Sequence, residues 1–377
     1  MSSWANRSSV RRRDLSQIPE GLRPPAPVPR AERSEVLLSE QYQAVASEGG
    51  PFFSFDGYGG NGGNGGTERN PIYYPTSGGP SLSGSRALGT SVSAELSSLL
   101  SALPSAYSGV QPPHPEAKEL RVGGKSYVFV ILRHLRQPSD NELWISSYNS
   151  IRRHYTNPIV IIDDNSQLNT VNGKLYQTEV IVSDYAGAGE TLPYYYFLMH
   201  RWADRMIFLH DTMFLYRPFR PEEVDTDARF HWSFQEKDKD TEKTTTTLGR
   251  IRPFLSSLRN AKELESTLSA TDRWRACFGV AMTVSLSVVE AIEEKYKLFS
   301  TMVMMIRNRR DREMAERLVG MVFFHEGHVT LDTCDTFGDI LNYPKAFESA
   351  WSNMATARYQ LEQAGYSSAI MKVWRGR

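Results

Sequence analysis

Three apolar runs in this chain stop abruptly at residues equipped for chemistry. Tyr127-Val128-Phe129-Val130-Ile131-Leu132 ends in Arg133-His134, Ile159-Val160-Ile161-Ile162 in Asp163-Asp164-Asn165-Ser166, and Met206-Ile207-Phe208-Leu209 in His210-Asp211-Thr212. Adjacent carboxylates at a strand tip suit two tasks. They accept hydrogen bonds from ribose hydroxyls or a base N–H, or they hold a hard divalent cation through oxygen. The structural alternative is an Asx-turn, in which Asp164 or Asn165 merely caps the strand end. Arg133 suits either a diphosphate or the neutralisation of Asp163 or Asp164. Asp211 alone can ligate Mg²⁺ or Mn²⁺ when diphosphate oxygens and water complete the shell, and an imidazole at His210 favours Mn²⁺.

Other reactive-looking residues carry less. His325-Glu326-Gly327-His328 is not a zincin motif, which needs His-Glu-x-x-His to set two imidazoles one helical turn apart. Gly187 and Gly189 lack the third glycine of a dinucleotide fingerprint, and Pro193 follows closely. Cys277 and Cys334 have no His/Asn setting that would make a thiol nucleophile. Tyr194, Tyr195 and Tyr196 read as helix–sheet packing, and Met302–Met305 as core. His231-Trp232 and Trp274 are placed by position at the border of an acceptor site.

The strand ends need a scaffold to hold them, and the pattern supplies one. Continuous β-branched and aromatic runs read as strands buried on both faces. Between the first two, Ser139-Asp140-Asn141-Glu142 reads as a capping box, and Leu143, Trp144, Ser147, Tyr148 and Ile151 recur at helical spacing to about His154. Asn157-Pro158 breaks that helix. Glu179–Val182 is a third strand, a helix runs through Tyr196 to Trp202, and Arg205–Leu209 is a fourth strand. Short connections in that order mean a mainly parallel sheet covered by helices, an α/β fold. Beyond it, Phe230–Phe234 predicts a strand and Glu236–Thr247 a charged loop. Helices are predicted over Leu248–Arg259, Ser285–Lys297, Arg310–Phe324 and Phe347–Ala364.

Composition closes off several classes. Among 377 residues, 43 basic side chains balance 43 acidic ones, against the basic excess of a nucleic-acid binder. Two cysteines fit a reducing compartment rather than a disulfide framework. The apolar stretch Ala276–Val289 is short of the roughly 20 residues a membrane-spanning helix needs. No signal-peptide core follows Met1.

Residues 1–118 hold 15 of the 27 glycines and 13 of the 20 prolines. Such a segment buries too little apolar surface to offset chain entropy, so it reads as a disordered Gly/Pro/Ser-rich arm with a short helix at Ser93–Leu103. It suits tethering or contacts with protein partners, and Arg11-Arg12-Arg13 within it reads as a localisation or nucleic-acid patch or, more plainly, as a solvated basic cluster.

Ile159–Ser166, an apolar strand entering Asp-Asp-x-Ser, resembles the signature of nucleotide-sugar glycosyltransferases of the GT-A fold, the large inverting family in particular. The following order also resembles that family: Gly187-Ala188-Gly189-Glu190, a helix with Tyr194-Tyr195-Tyr196, then a strand into His210-Asp211-Thr212, where the family carries DxD. More narrowly, these pieces with the Trp144–Arg152 helix resemble uncharacterised glycosyltransferase-like proteins of large DNA viruses, over roughly residues 127–216. The resemblance implies a GT-A-like (Rossmann-like) domain over 119–377, with a nucleotide-binding half at 119–216 and an acceptor-side half at 217–377. Arg133, Asp163, Asp164, Asn165, Gly189 and Glu190 would line the nucleotide. Asp211 with His210 would hold Mn²⁺ or Mg²⁺ on the diphosphate, with His328 completing the metal shell. In the family the general base opens a helix in the second half, which implies Glu316, with Glu313 second. The plainer account has both pairing with Arg310, Arg312 or Arg317 on a solvated face. The implied activity is transfer of a sugar from a nucleotide-sugar donor to a glycan or protein acceptor hydroxyl, in a cytoplasm or virion. The alternatives are a catalytically weakened GT-A-like binding or scaffold protein, a nucleotidyltransferase, and a virion structural protein.

Overall fold

A computed structural model describes residues 109–166, 174–235, 241–343 and 367–373. The arm as far as residue 108, with its Ser93–Leu103 helix, lies outside the described residues, as does the helix expected over Phe347–Ala364. The first described segment is already tied to the domain ahead of Glu119: the His114 amide donates to the Arg152 carbonyl and that of Lys118 to His154.

In chain order the elements are β1 (Arg121–Val122), β2 (Lys125–Arg133), α1 (Asn141–His154), β3 (Ile159–Asp163), β4 (Thr178–Val182), α2 (Leu192–His200), β5 (Arg205–His210) and β6 (Met213–Leu215). There follow α3 (Pro221–Val224), β7 (Ala228–Phe230), β8 (Ser233–Phe234), α4 (Thr241–Ser256), α5 (Ala261–Ser269), β9 (Ala276–Cys277) and β10 (Met282–Ser285). Last come α6 (Leu286–Tyr296), α7 (Leu298–Met305), α8 (Arg309–His325) and β11 (Ile370–Lys372).

The main sheet has the order β4-β3-β2-β5-β10-β7, with β1 hairpinned onto β2. β4, β3, β2 and β5 are parallel, while β10 runs antiparallel between β5 and β7. The chain first steps outward from β2 to β3 and β4, then returns to place β5 on the other side of β2. Right-handed crossovers made in opposite directions put α1 and α2 on opposite faces. β2 is therefore covered from both sides, and Tyr127 through Arg133 are all buried. That is the physical reason its sequence is one unbroken apolar run.

Local chemistry sets the element boundaries. The capping box lies two residues ahead of the expected Ser139–Glu142, on a short turn that precedes α1. Asp140 accepts the Arg136 and Gln137 amides at 2.8 and 3.2 Å and closes a short 3-10 turn over Pro138–Asp140. Arg152, fully buried in the last turn of α1, donates to the carbonyls of Asn157 and Tyr176 at 2.6 Å and lies over the Tyr148 and Tyr176 rings. It thereby fastens the helix to the entrances of β3 and β4.

The second half departs further from expectation. The Phe230–Phe234 strand is divided in two, because β7 pairs with β10 while β8 turns away to pair with β9. His231, Trp232 and Trp274 are core residues rather than an acceptor border, each less than 5% exposed. Much of the expected 236–247 loop is the first part of α4. Helix α8 crosses β9 at glycine distance. A Cβ on Gly320 would lie 2.3 Å from the Arg275 carbonyl oxygen and 2.8 Å from Ala276 Cα. Gly320→Ala is therefore expected to cost about 1–3 kcal/mol in urea unfolding, because strand backbone cannot yield and the clash outweighs alanine's better helix propensity. Among the described residues no helix is long and apolar enough to cross a membrane.

Candidate functional site at the carboxyl edge of the sheet

The reversal of strand order at β2 makes a topological switch point, where the loops after β2, β3 and β5 splay apart and ligands bind in open α/β sheets. Register brings the chemical residues there together. Arg133 stands beside Asp163, and Leu132 beside His210.

Of the two roles open to Arg133, the geometry shows neutralisation. Its Nε lies 2.7 Å from Asp163 Oδ2, with both side chains buried, and its guanidinium rests over the Trp144 ring at 4.9 Å. The other oxygen of Asp163 accepts the Ser166 amide at 2.9 Å, closing a turn in which exposed Asn165 takes a left-handed conformation (φ 58°). Asn tolerates that region better than other side-chain-bearing residues.

Asp164 reaches across to the Gly187–Gly189 loop and accepts both glycine amides, at 2.6 and 3.1 Å. Positive φ at both glycines lets the two N–H groups converge. At Gly189 a side chain would also strike Arg312, whose Cδ lies 2.4 Å from the Cβ position. Burial raises the proton affinity of Asp164 above that of an ordinary carboxylate, while the two amides, His134 and Arg312 act in the opposite direction. Asp163, Asp164 and Asp211 are 2, 3 and 7% exposed, so the carboxylates form the floor of this edge rather than its mouth.

The partly exposed groups around them are His210, Glu190, Arg312 and Glu316. A single residue, Gly279, joins two of these. The Gly279 carbonyl meets His210 Nε2 at 2.7 Å, and the Gly279 amide donates to Glu316 Oε1 at 2.8 Å. Since a carbonyl only accepts, Nε2 carries the ring proton. Burial, followed by the charge of Lys372, pushes the imidazole down to about 3, so it is neutral near pH 7. Gly279 has φ +60° and leaves no room for a Cβ, which would lie 2.7 Å from the ring. Burial pushes Glu316 up to about 8, opposed by the charge of Arg317 and the Gly279 amide and reinforced by the negative charge of Glu190. Glu190 is raised by burial too, opposed by Arg312, whose Nε lies 3.7 Å from Oε2. Glu313 instead pairs with Arg309, one turn back on the helix surface.

Of the residues expected to hold a divalent cation, His328 does not meet His210 and Asp211. His210 Nε2 is committed to Gly279. His328 lies beyond the far end of α8, where Asp227 and Glu326 act on its charge. Asp227 is held by Arg205 at the amino end of β5, about 17 Å of strand away from His210. His325 bonds Thr267 Oγ1 at 2.7 Å. Among the described residues no group of three or more His, Cys, Asp or Glu is placed to hold a metal ion. Of the expected ligands, only Asp211 at the β5 tip remains, and a cation there would draw its other ligands from diphosphate oxygens and water.

Two residues absent from the sequence expectations belong to this edge. Gly279 is legible in retrospect as a glycine inside an apolar run, a mark of close backbone approach. Lys372 carried no such signal. It lies on β11, which pairs with β6 (Lys372 opposite Met213), and its Nζ donates to Thr212 Oγ1. No protein-family model matches the chain, and no curated protein matches it.

Proposed function

We propose that the protein is a GT-A-like glycosyltransferase. It moves a sugar from a nucleotide-sugar donor to an acceptor hydroxyl at the carboxyl edge of the sheet, with Glu316 as general base. The observation that carries the reading is the position of Glu316. A carboxyl group with proton affinity raised to about 8 is fixed through one residue, Gly279, to the residue preceding Asp211, at the switch point where such sheets bind ligands. A base is most effective when its pKa lies near the working pH. In the reaction the Glu316 carboxylate removes the hydroxyl proton as the acceptor oxygen bonds to the anomeric carbon. The bond from that carbon to the diphosphate oxygen breaks, the nucleoside diphosphate leaves, and the proton passes from Glu316 to solvent.

One observation favours a second reading, a weakened relative that binds without turnover. Each carboxylate oxygen of Asp163 and Asp164 already accepts a bond, from Arg133, Ser166 and the two glycine amides. A screen of nucleotide sugars with and without Mn²⁺ separates the two. Glycosyl transfer predicts nucleoside diphosphate release. Binding without release supports the weakened relative, and pyrophosphate release would identify a nucleotidyltransferase.

A further inference from the structure

With His210 committed to Gly279 and His328 far from this edge, Asp211 is the one expected cation ligand that remains, and a departing diphosphate needs more positive charge than one carboxylate-bound ion supplies. Two cations already stand there. Lys372 is 6% exposed, yet its ammonium faces the strand-end groups: it donates to Thr212 and acts electrostatically on both His210 and Glu190. Arg312, from the first turn of α8, lies across Gly189 and acts on Asp164, Glu190 and His210. β11 and α8, two separate elements of the second half, thus both bring positive charge to this edge. A buried lysine in a strand is held against a considerable desolvation cost, and its ammonium can stabilise developing charge on phosphate oxygens as a bound cation would.

We propose that Lys372 and Arg312 form a metal-independent diphosphate site at the carboxyl edge of β5, with Lys372 in the place expected for the cation. The inference rests on the transferase reading for its nucleotide, but its anion chemistry is testable alone. Calorimetry of the full chain with inorganic pyrophosphate, UDP and GDP is run in EDTA and again with Mn²⁺. The expected result is pyrophosphate and nucleoside diphosphate affinity that changes less than twofold between the two conditions. Lys372→Met is expected to weaken it about 30-fold or more, the scale for removing one partner of a desolvated charge pair. Arg312→Gln is expected to weaken it about tenfold. Lys372→Arg should recover part of the loss, which a purely structural role would not predict. Should Lys372→Met fail to fold, Arg312→Gln and the EDTA comparison on the parent chain still decide.

Pyrophosphate binding that requires Mn²⁺ overturns the inference and leaves the transferase reading standing. Absence of pyrophosphate binding in both conditions, or unchanged binding in a folded Lys372→Met, also overturns it. Metal-free, Lys372-dependent pyrophosphate binding with no affinity for UDP, GDP or nucleotide sugars keeps the anion site and removes the transferase.

Discussion

Glu316→Gln is expected to lower kcat by about 10²–10⁴-fold, the usual contribution of a positioned general base, while leaving donor affinity near that of the parent. The parent's kcat/KM should climb about tenfold per pH unit and level off near pH 8, as the raised carboxyl loses its proton. The variant's residual rate should lack that limb. Stability should move the other way. The folded chain holds this proton up to about 8, whereas an ordinary glutamate releases it near 4.5. The folded state therefore binds more protons between those values, and stability falls as pH rises through that window. Glutamine keeps an oxygen for the Gly279 amide and carries no charge, so the variant should melt above the parent at pH 9. A variant that loses turnover and also melts lower at pH 9 would mark Glu316 as a scaffold residue.

Arg133→Met should be the most destabilising single change at this edge, by about 3–5 kcal/mol in urea unfolding, since it leaves the Asp163 charge buried without its partner. Adding Asp163→Asn should return part of that loss, because the remaining side chain no longer needs a countercharge. The cycle of single and double variants measures the coupling directly. Independent, additive effects would show that the pair is not a unit and that Asp163 is available to a ligand after all.

The first half of the fold was legible because burial on both faces writes itself into composition. Residues 127–132, 159–162 and 205–209 have no polar alternation to confuse the reading, and each proved to be a parallel strand. The second half mixes short strands with helices. β10 was hidden inside the Ala276–Val289 run, where the helix after it was anticipated from Ser285, whose hydroxyl does accept the Val288 amide. α5 and α7, at nine and eight residues, are too short for a periodic pattern to stand out from the sequence around them.

At the site, the sequence pointed to side chains that the switch point does gather, His210, Glu190 and Glu316, because strand ends and helix openings are local features. It did not reveal which oxygens would already be engaged. Asp164 takes its partners 23 and 25 residues ahead, and Thr212 receives Lys372 from 160 residues away. Pairings of that reach leave no periodic trace. His328 illustrates the converse: a histidine-rich spelling attracts notice whichever edge of the sheet it occupies.

The place of β11 bears on how the protein is made. Strands β2 to β6 are synthesised by residue 215, whereas the strand that lies against β6 arrives only at Ile370–Lys372. A nascent chain can thus complete its parallel core while the ribosome still withholds the lysine. The anion site proposed above would then form only after that core has closed.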